Sequence, residues 1–231
     1  MSDRKIAFWF IALLSVLVLV PFLGETIFYS KGEPREAIVA YTMLESGNWI
    51  LPTNYGVEIA YKPPFLYWTI AVISSVLGGV TEFSARMPSA LAFLAMQLVF
   101  FSFVAKRKDV KTAFLTSILL LSSFEVHRAA VACRLDMLQV SLIVISLCLL
   151  FRWDEKNCKG IPWLAVLLMA CATLTKGPVG SIFPCLGISC CAGVRSERLS
   201  FHCWASGYCP SFLWAFGFGQ LISKAERRLS I

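Results

Sequence analysis

Charged side chains are scarce in this sequence. They make up 15% of its 231 residues, whereas soluble domains carry about a quarter. Hydrophobic residues reach 58% and gather in long uncharged runs, so the composition excludes an ordinary soluble domain and indicates a polytopic integral membrane protein. The net charge of +7 does not predict nucleic-acid binding, because excess lysine and arginine in a membrane protein mainly report its orientation.

The sequence also lacks cysteine and histidine at the spacing of a metal centre. Cys133, Cys148, Cys171 and Cys185 lie in or beside apolar runs, where a thiol behaves as a small hydrophobic group. The later cysteines have no zinc-type spacing with His202. We therefore predict neither a metal centre nor a disulfide framework built from the nine cysteines. A divalent cation held by acidic side chains stays open, and no other cofactor is indicated.

Six apolar runs are candidates to cross a bilayer, for which a helix needs about 20 residues, with a range of about 17–25. The first, Ile6–Leu23, exceeds the core of a cleavable signal peptide, which has about 7–15 residues, so we expect a retained helix. The others are Met87–Ala105, Thr112–Phe124, Leu135–Phe151, Ile161–Thr175 and Gly177–Val194. The predicted fold is all-α, with about six transmembrane helices in residues 1–194.

Residues 24–64 form a long external loop in this scheme. Pro34–Leu44 has apolar residues at helical spacing and predicts a short amphipathic helix in the loop. The apolar segment 65–80 has only 16 residues, and we place it at the external surface. If it crossed the bilayer, the basic cluster at 106–111 would lie outside, against the positive-inside bias. The N-terminus and the basic segments 106–111, 152–160 and 195–198 are then cytoplasmic.

The composition changes abruptly after Val194. Residues 195–231 mix serine, cysteine, tryptophan and phenylalanine, and the strong apolar segmentation fades. We interpret this segment as an atypical tail, of the kind that a frameshift or an early stop produces.

Several charged residues lie beside the apolar runs, all on the predicted external face. A charge next to hydrocarbon is costly and by default marks a functional site. Carboxylates could act as a general base or hold a divalent cation, and cations could stabilise a phosphate or diphosphate. Pro63-Pro64 would stiffen the chain after the lysine that precedes them. The residues are the acids Glu33 and Asp136 and the cations Arg35, Lys62, Arg134 and Lys176.

Structural roles are the alternative for these side chains. Glu33 could be an acid favoured by the dipole at a helix N-terminus. Lys62 and Lys176 could be anchors that extend their charge to the headgroup boundary. Arg134 and Asp136 could pair with each other, or with Glu125 and Arg128, for structural reasons. Composition and spacing alone leave both readings open.

Five motifs occur in a fixed order relative to the apolar runs. They are Gly32-Glu33-Pro34-Arg35-Glu36-Ala37 with Met43–Pro52, Tyr61-Lys62-Pro63-Pro64-Phe65-Leu66-Tyr67-Trp68, Ser84-Ala85-Arg86-Met87-Pro88-Ser89-Ala90, Arg134-Leu135-Asp136, and Leu174-Thr175-Lys176-Gly177-Pro178. Together they resemble the GT-C glycosyltransferases, and more narrowly the group of 4-amino-4-deoxy-L-arabinose transferases and protein O-mannosyltransferases. The resemblance covers roughly residues 5–190.

The resemblance implies a helical membrane enzyme that takes a sugar from a polyprenyl-phosphate donor. The sugar would pass to a glycolipid of the lipid A type or to a protein hydroxyl, at the periplasmic face of a bacterial inner membrane. By this likeness the two catalytic acids are Glu33 and Asp136. The residues implied around the donor phosphate are Lys62, Arg35, Arg134, Lys176 and Arg86.

Members of that group are longer than this chain, so we expect a truncated copy that lacks part of the lipid and acceptor site. A transporter or flippase for lipid-linked sugars is a second hypothesis. It is disfavoured because transporters hold their polar residues near the bilayer midplane, whereas here the charges flank the apolar runs. An inactive membrane fragment is the third.

Overall fold

The computed structural model describes residues 3–28, 32–156 and 159–195, which are almost wholly helical. The predicted all-α membrane fold is confirmed. The chain divides into two compact units, residues 1–141 and 142–231. The helices are α1 (Asp3–Leu19), α2 (Pro21–Gly24), α3 (Gly32–Ser46), α4 (Phe65–Leu77), α5 (Glu82–Arg107), α6 (Val110–Ser122), α7 (Phe124–Ala130), α8 (Leu135–Glu155), α9 (Trp163–Lys176) and α10 (Val179–Arg195).

Helices α1, α5 and α6 pack together in the first unit. Ile11, Phe101 and Ala113, one from each helix, are fully buried against one another. Helix α5 begins at a capping box in which the Thr81 side chain accepts from the Ser84 amide and the Ser84 hydroxyl accepts from the Thr81 amide. Because such reciprocal bonds satisfy two otherwise unpaired donors, they fix where this long helix starts.

The predicted external loop, residues 24–64, is more ordered than the sequence predicts. Helix α3 contains the predicted segment Pro34–Leu44 and extends two residues beyond it at each end. It stops before Gly47, whose φ of 67° is the left-handed conformation that commonly ends helices. Val39 and Met43 of α3 pack on Tyr67 of α4, so the two helices form one apolar contact.

A small hairpin between α3 and α4 was not predicted. Its strands, β1 (Thr53–Asn54) and β2 (Glu58–Ile59), pair antiparallel with Thr53 opposite Ile59. Tyr55 and Gly56 at the turn both have positive φ, 54° and 74°, as tight hairpin turns require. Two-residue strands leave too little alternation in a sequence for a pattern to reveal them.

Three stretches of the described helices are long and apolar enough to cross a membrane, namely Asp3–Gly24, Glu82–Arg107 and Leu135–Glu155. They match three of the six predicted spans. The other three predicted spans form shorter apolar helices, α6, α9 and α10, as does the predicted surface segment 65–80, which forms α4. Helix α6 ends at Ser122, because Ser123 turns to an extended conformation and α7 begins. Six full crossings therefore stay a prediction.

The second unit is built around an α9–α10 hairpin. Ala165 and Met169 of α9 are buried with Ile188 of α10 and Leu150 of α8. Gly180 lies so close to α9 that an added Cβ would be 2.4 Å from the Ala172 carbonyl carbon, and this spacing excludes any side chain there. The predicted tail, residues 195–231, lies outside the described residues except for the backbone of Arg195.

Candidate functional site

Two glutamates, Glu33 and Glu36, lie one turn apart at the N-terminal end of α3. Residues three apart on a helix share a face, and here that face turns inward, leaving Glu33 2% and Glu36 1% exposed. A buried carboxylate is very costly unless cations or hydrogen-bond donors compensate it. The two glutamates find different partners, and these partners define two charged centres.

The first centre is the Glu33–Arg86 pair. Arg86 Nε lies 3.4 Å from Glu33 Oε1, and both side chains are almost fully buried. The Cys133 amide donates to the same Oε1 at 2.9 Å. The other guanidinium nitrogens of Arg86 donate at 2.8–3.2 Å to carbonyl oxygens of α2 and of the segment after it, those of Leu23, Thr26 and Ile27. One arginine thus joins α2, α3 and α5.

Arg86 was implied by resemblance to support the donor phosphate. The structure places it inside this pair, 1% exposed, with each guanidinium nitrogen engaged by protein oxygens. This environment suits a residue that fixes the external loop on α5. A direct contact with a donor phosphate stays a prediction.

The second centre, which we call the Glu36 cluster, consists of Glu36, Lys62 and Arg35. Lys62 Nζ is 2.8 Å and Arg35 Nη2 3.4 Å from the same oxygen, Glu36 Oε1. The Lys62 and Arg35 side chains are 33% and 42% exposed, whereas that of Glu36 is 2% exposed. The cluster therefore has a buried anion below two cations that reach solvent.

Glu36 was not among the predicted site residues. Its signal was present in the sequence, since Glu33 and Glu36 stand at helical spacing and Ala37 and Ala40 continue the same buried side. An acid on the buried side of an amphipathic helix calls for a cation nearby. The Lys62 of the Lys-Pro-Pro motif is that cation, from 26 positions further along the chain.

Cys133 lies between the two centres. Burial raises the pKa of its thiol, and the negative charges of Glu36 and Glu33 raise the pKa further, while Arg86 and Lys62 act in the opposite direction. Both carboxylates are thus close enough to act on one sulfur atom. The raised pKa keeps the thiol protonated at neutral pH and makes it a poor nucleophile, since thiolate is the reactive form.

A cavity of about 380 Å³ opens beside Glu33. Both predicted acids, Glu33 and Asp136, contribute to its wall, together with Arg134. Asp136 is half-buried in the first turn of α8 and Arg134 is exposed just before it. Arg128, also in the wall, forms an exposed ion pair of 2.7 Å with Glu125. The remaining wall residues are Phe22, Thr26, Ala129, Val131 and Ala132.

Lys176 is the last residue of α9, where it is exposed. It belongs to the second unit, so its predicted place beside the donor phosphate stays a prediction. Across residues 3–28, 32–156 and 159–195, no three His, Cys, Asp or Glu side chains are grouped so that they could hold a metal ion. Within these ranges a divalent cation therefore finds no protein ligand set of this kind.

Comparison with known proteins places the chain among membrane glycosyltransferases. Residues 61–200 match the sequence model of a family described as dolichyl-phosphate-mannose-protein mannosyltransferase. The chain is 34% identical, over 174 residues, to the undecaprenyl phosphate-alpha-4-amino-4-deoxy-L-arabinose arabinosyl transferase of Shewanella sediminis. That match covers 73% of this chain and 31% of the relative. A similar transferase of Proteus mirabilis is 28% identical over 186 residues, covering 78% of this chain and 33% of its own length.

The fold is similar to crystal structures of ArnT from Cupriavidus metallidurans. The apo structure superposes with a TM-score of 0.78 at 23% identity, covering 94% of this chain and 42% of ArnT. The structure of that protein bound to undecaprenyl phosphate gives 0.74 at 21% identity, with 94% and 41% coverage. The chain spans about a third of the length of the curated relatives it matches.

The family match extends over more than half of the chain, and the superposition confirms the GT-C membrane fold. The long apolar helices agree with both, and with the bacterial relatives they indicate an integral protein of the bacterial inner membrane. The chain therefore belongs to the dolichyl-phosphate-mannose-protein mannosyltransferase family.

Proposed function

We propose that this chain provides the donor-phosphate site of a glycosyltransferase that uses a polyprenyl-phosphate sugar at the external face of the membrane. The observation that carries the proposal is the Glu36 cluster, in which Lys62 and Arg35 present their charges to solvent above one buried carboxylate. Cations in that position suit an anionic group at the membrane boundary.

The two cations are spaced for a phosphate group. Lys62 Nζ and Arg35 Nη2 contact the same oxygen, Glu36 Oε1, at 2.8 and 3.4 Å. The two nitrogens are therefore at most about 6 Å apart. Two oxygens of one phosphate can accept from donors at that separation, and charge-assisted bonds of this kind are about twice as strong as neutral ones. As the sugar leaves, these cations stabilise the charge that develops on the phosphate oxygen.

Asp136 is the acid that we assign as the base. It is half-buried in the cavity wall, in the first turn of α8. Asp136 would take the proton of an acceptor hydroxyl while the hydroxyl oxygen attacks the anomeric carbon of the sugar. The bond from that carbon to the phosphate oxygen then breaks, and its electron pair leaves with the lipid phosphate.

The names of similar proteins support this donor class. The Shewanella sediminis relative is named for transfer from undecaprenyl phosphate-linked aminoarabinose, and ArnT of Cupriavidus metallidurans has been crystallised with undecaprenyl phosphate. We propose a polyprenyl-phosphate sugar as donor for this chain and a glycolipid or a protein hydroxyl as acceptor. The apolar residues Phe22, Ala129 and Val131 of the cavity wall suit a lipid-bearing substrate.

The experiment that tests the donor site is a binding titration with the purified chain in detergent. Undecaprenyl phosphate is the ligand, and the uncharged alcohol undecaprenol is its control. Lys62→Met should lower the affinity for the phosphate by about tenfold or more, because it removes one charge-assisted bond. The matched control is Lys106→Met, an exposed lysine at the far end of α5, which should leave the affinity unchanged. Equal affinities for undecaprenyl phosphate and undecaprenol would overturn the proposal.

The proposed orientation has the N-terminus in the cytoplasm and the Glu36 cluster in the periplasm. Val57 at the hairpin turn is 84% exposed, and a cysteine there should react with an impermeant maleimide in spheroplasts. Lys108, exposed between α5 and α6, is the matched control, and Lys108→Cys should react only after lysis. Mass spectrometry of the modified peptide separates these sites from the native cysteines. The reverse labelling pattern would invert the orientation.

A further inference from the structure

The Glu36 cluster contains an anion where a site for anions would be expected to have none. Glu36 Oε1 contacts both cations, so the carboxylate occupies the contacts that we propose for the donor phosphate. Its other oxygen, Oε2, is buried, and no donor among the described residues meets hydrogen-bond geometry with it, while the phenol of Tyr67 interacts with the same carboxylate. The positive charges that compensate Glu36 come from Lys62 and Arg35.

We infer that Glu36 is an internal counter-anion that limits how tightly the site binds phosphate and weakens its preference for a doubly charged phosphate over a singly charged one. The inference rests on the proposed function and adds a specificity-determining residue to it. With Glu36 in place the cluster carries one net positive charge; without it the cluster would carry two. Any phosphate that draws Lys62 and Arg35 toward itself withdraws compensation from a buried carboxylate, and this opposes binding.

The neighbouring charges do not alter this balance. Glu33 is paired with Arg86 and Arg128 with Glu125. In the cavity wall the positive Arg134 is offset by the negative Asp136, two residues away. The single net charge near the proposed donor position therefore comes from Lys62, Arg35 and Glu36.

The donor and the spent lipid differ in charge. A polyprenyl-phosphate sugar is a phosphodiester and carries one negative charge. The released lipid phosphate is a monoester, which carries about 1.5 to 2 negative charges at pH 7 because its second pKa is about 6. A site with two unopposed positive charges would hold the spent lipid more tightly than the donor. Glu36 reduces that preference, because its repulsion grows with the charge of the ligand, and this favours release of the product.

The test compares Glu36→Gln with wild type in binding of undecaprenyl phosphate at pH 8 and constant salt. The amide oxygen still accepts from Lys62 and Arg35, so the cations stay in place while the negative charge is lost. We expect the affinity for the monoester to rise about fivefold or more, and the affinity for its methyl diester to rise less. Glu45→Gln, an exposed change on the same helix, is the matched control and should have no effect.

The outcomes separate the inference from the proposed function. Weaker or unchanged binding by a folded Glu36→Gln chain, with wild type binding normally, overturns the inference alone. Absence of lipid binding by both chains overturns the proposed function and the inference with it. A second measurement compares the two ligands: the preference for the monoester over the methyl diester should be smaller in wild type than in Glu36→Gln. Equal preferences in the two chains would contradict a counter-anion at this site.

Discussion

The Glu33–Arg86 pair and the Glu36 cluster use the same kind of ionic contact for different ends. Their carboxylates stand one turn apart on α3 and are equally buried, so the difference lies in the cations. Arg86 is 1% exposed and engages Glu33 and three backbone carbonyls, whereas Lys62 and Arg35 reach solvent. A cation already surrounded by protein oxygens holds structure together; one with an open side can still take a ligand.

Burial also sets the energy scale of the two centres. Removing one partner of a buried ion pair typically costs about 3–5 kcal/mol, because the other charge is left uncompensated. Exposed ion pairs contribute about 0–1 kcal/mol, since water replaces the lost partner. The Glu33–Arg86 pair should follow the first figure. The Glu36 cluster should fall between the two, because its carboxylate is buried and its cations are not.

The largest effect is expected from Arg86→Met. This change leaves Glu33 buried without its cation and releases the carbonyls of Leu23 and Thr26, so stability should fall by about 3–5 kcal/mol. The measurement is denaturant unfolding of the purified chain in mild detergent. Arg128→Met, which breaks only the exposed pair with Glu125, is the matched control and should change stability by less than about 1 kcal/mol. Similar losses of stability in the two variants would contradict the distinction between the buried pair and the exposed pair.

Glu33→Gln should have the next largest effect. The amide oxygen can still accept from the Cys133 amide, but the charge that compensates Arg86 is lost, and bonds to charged groups contribute about 1.5–3 kcal/mol. We expect a destabilisation in that range under the same unfolding conditions. Affinity for undecaprenyl phosphate, measured on the folded fraction, should stay near wild type. A large loss of lipid affinity with unchanged stability would instead place Glu33 at the donor.

Lys62→Met should lower lipid affinity, which we expect Glu33→Gln to leave near wild type. Its ion pair with Glu36 is a third exposed on the lysine side, and Arg35 remains to compensate the carboxylate. We expect a loss of about 1–3 kcal/mol in unfolding experiments, between the figures for exposed and buried pairs, beside a roughly tenfold loss of lipid affinity. Unfolding as severe as that of Arg86→Met would mean that the Glu36 cluster is structural as well.

The smallest effect is expected at Cys133, between the two centres. Its thiol is buried and its pKa is raised, so iodoacetamide at pH 8 should leave it unmodified in the native chain, as read by mass spectrometry. Arg86→Met should expose it to the reagent, and Lys62→Met should not. Rapid modification in the wild-type chain would show that the segment after α7 opens readily.

The sequence was a good guide to the helices and a partial guide to the site. Long uncharged runs and their basic flanks depend only on local composition, and they located α1, α5 and α8 closely. The division of labour between Glu33 and Glu36 could not be read in this way. It depends on which cation, Arg86 or Lys62, the fold brings to each carboxylate, across 53 and 26 positions of the chain. Spacing along one helix carries no information about such distant partners.

The same limit applies to helix lengths and to the hairpin. The predicted span Thr112–Phe124 ends within two residues of α6, but its sequence does not show that the backbone turns at Ser123 and starts the separate helix α7. The hairpin at Thr53–Ile59 depends on positive φ at Tyr55, a residue type that rarely adopts it. Both features follow from backbone conformation rather than from hydrophobic pattern.

The contacts of Arg86 also have a consequence for biosynthesis. Leu23, Thr26, Ile27 and Glu33, which all contact its guanidinium group, are translated before it. When the ribosome delivers the start of α5 to the membrane, every one of these partners has already been made. Arg86 can therefore meet these four partners as soon as α5 enters the membrane. Assembly of the loop between α2 and α5 can begin while the rest of the chain is still being synthesised.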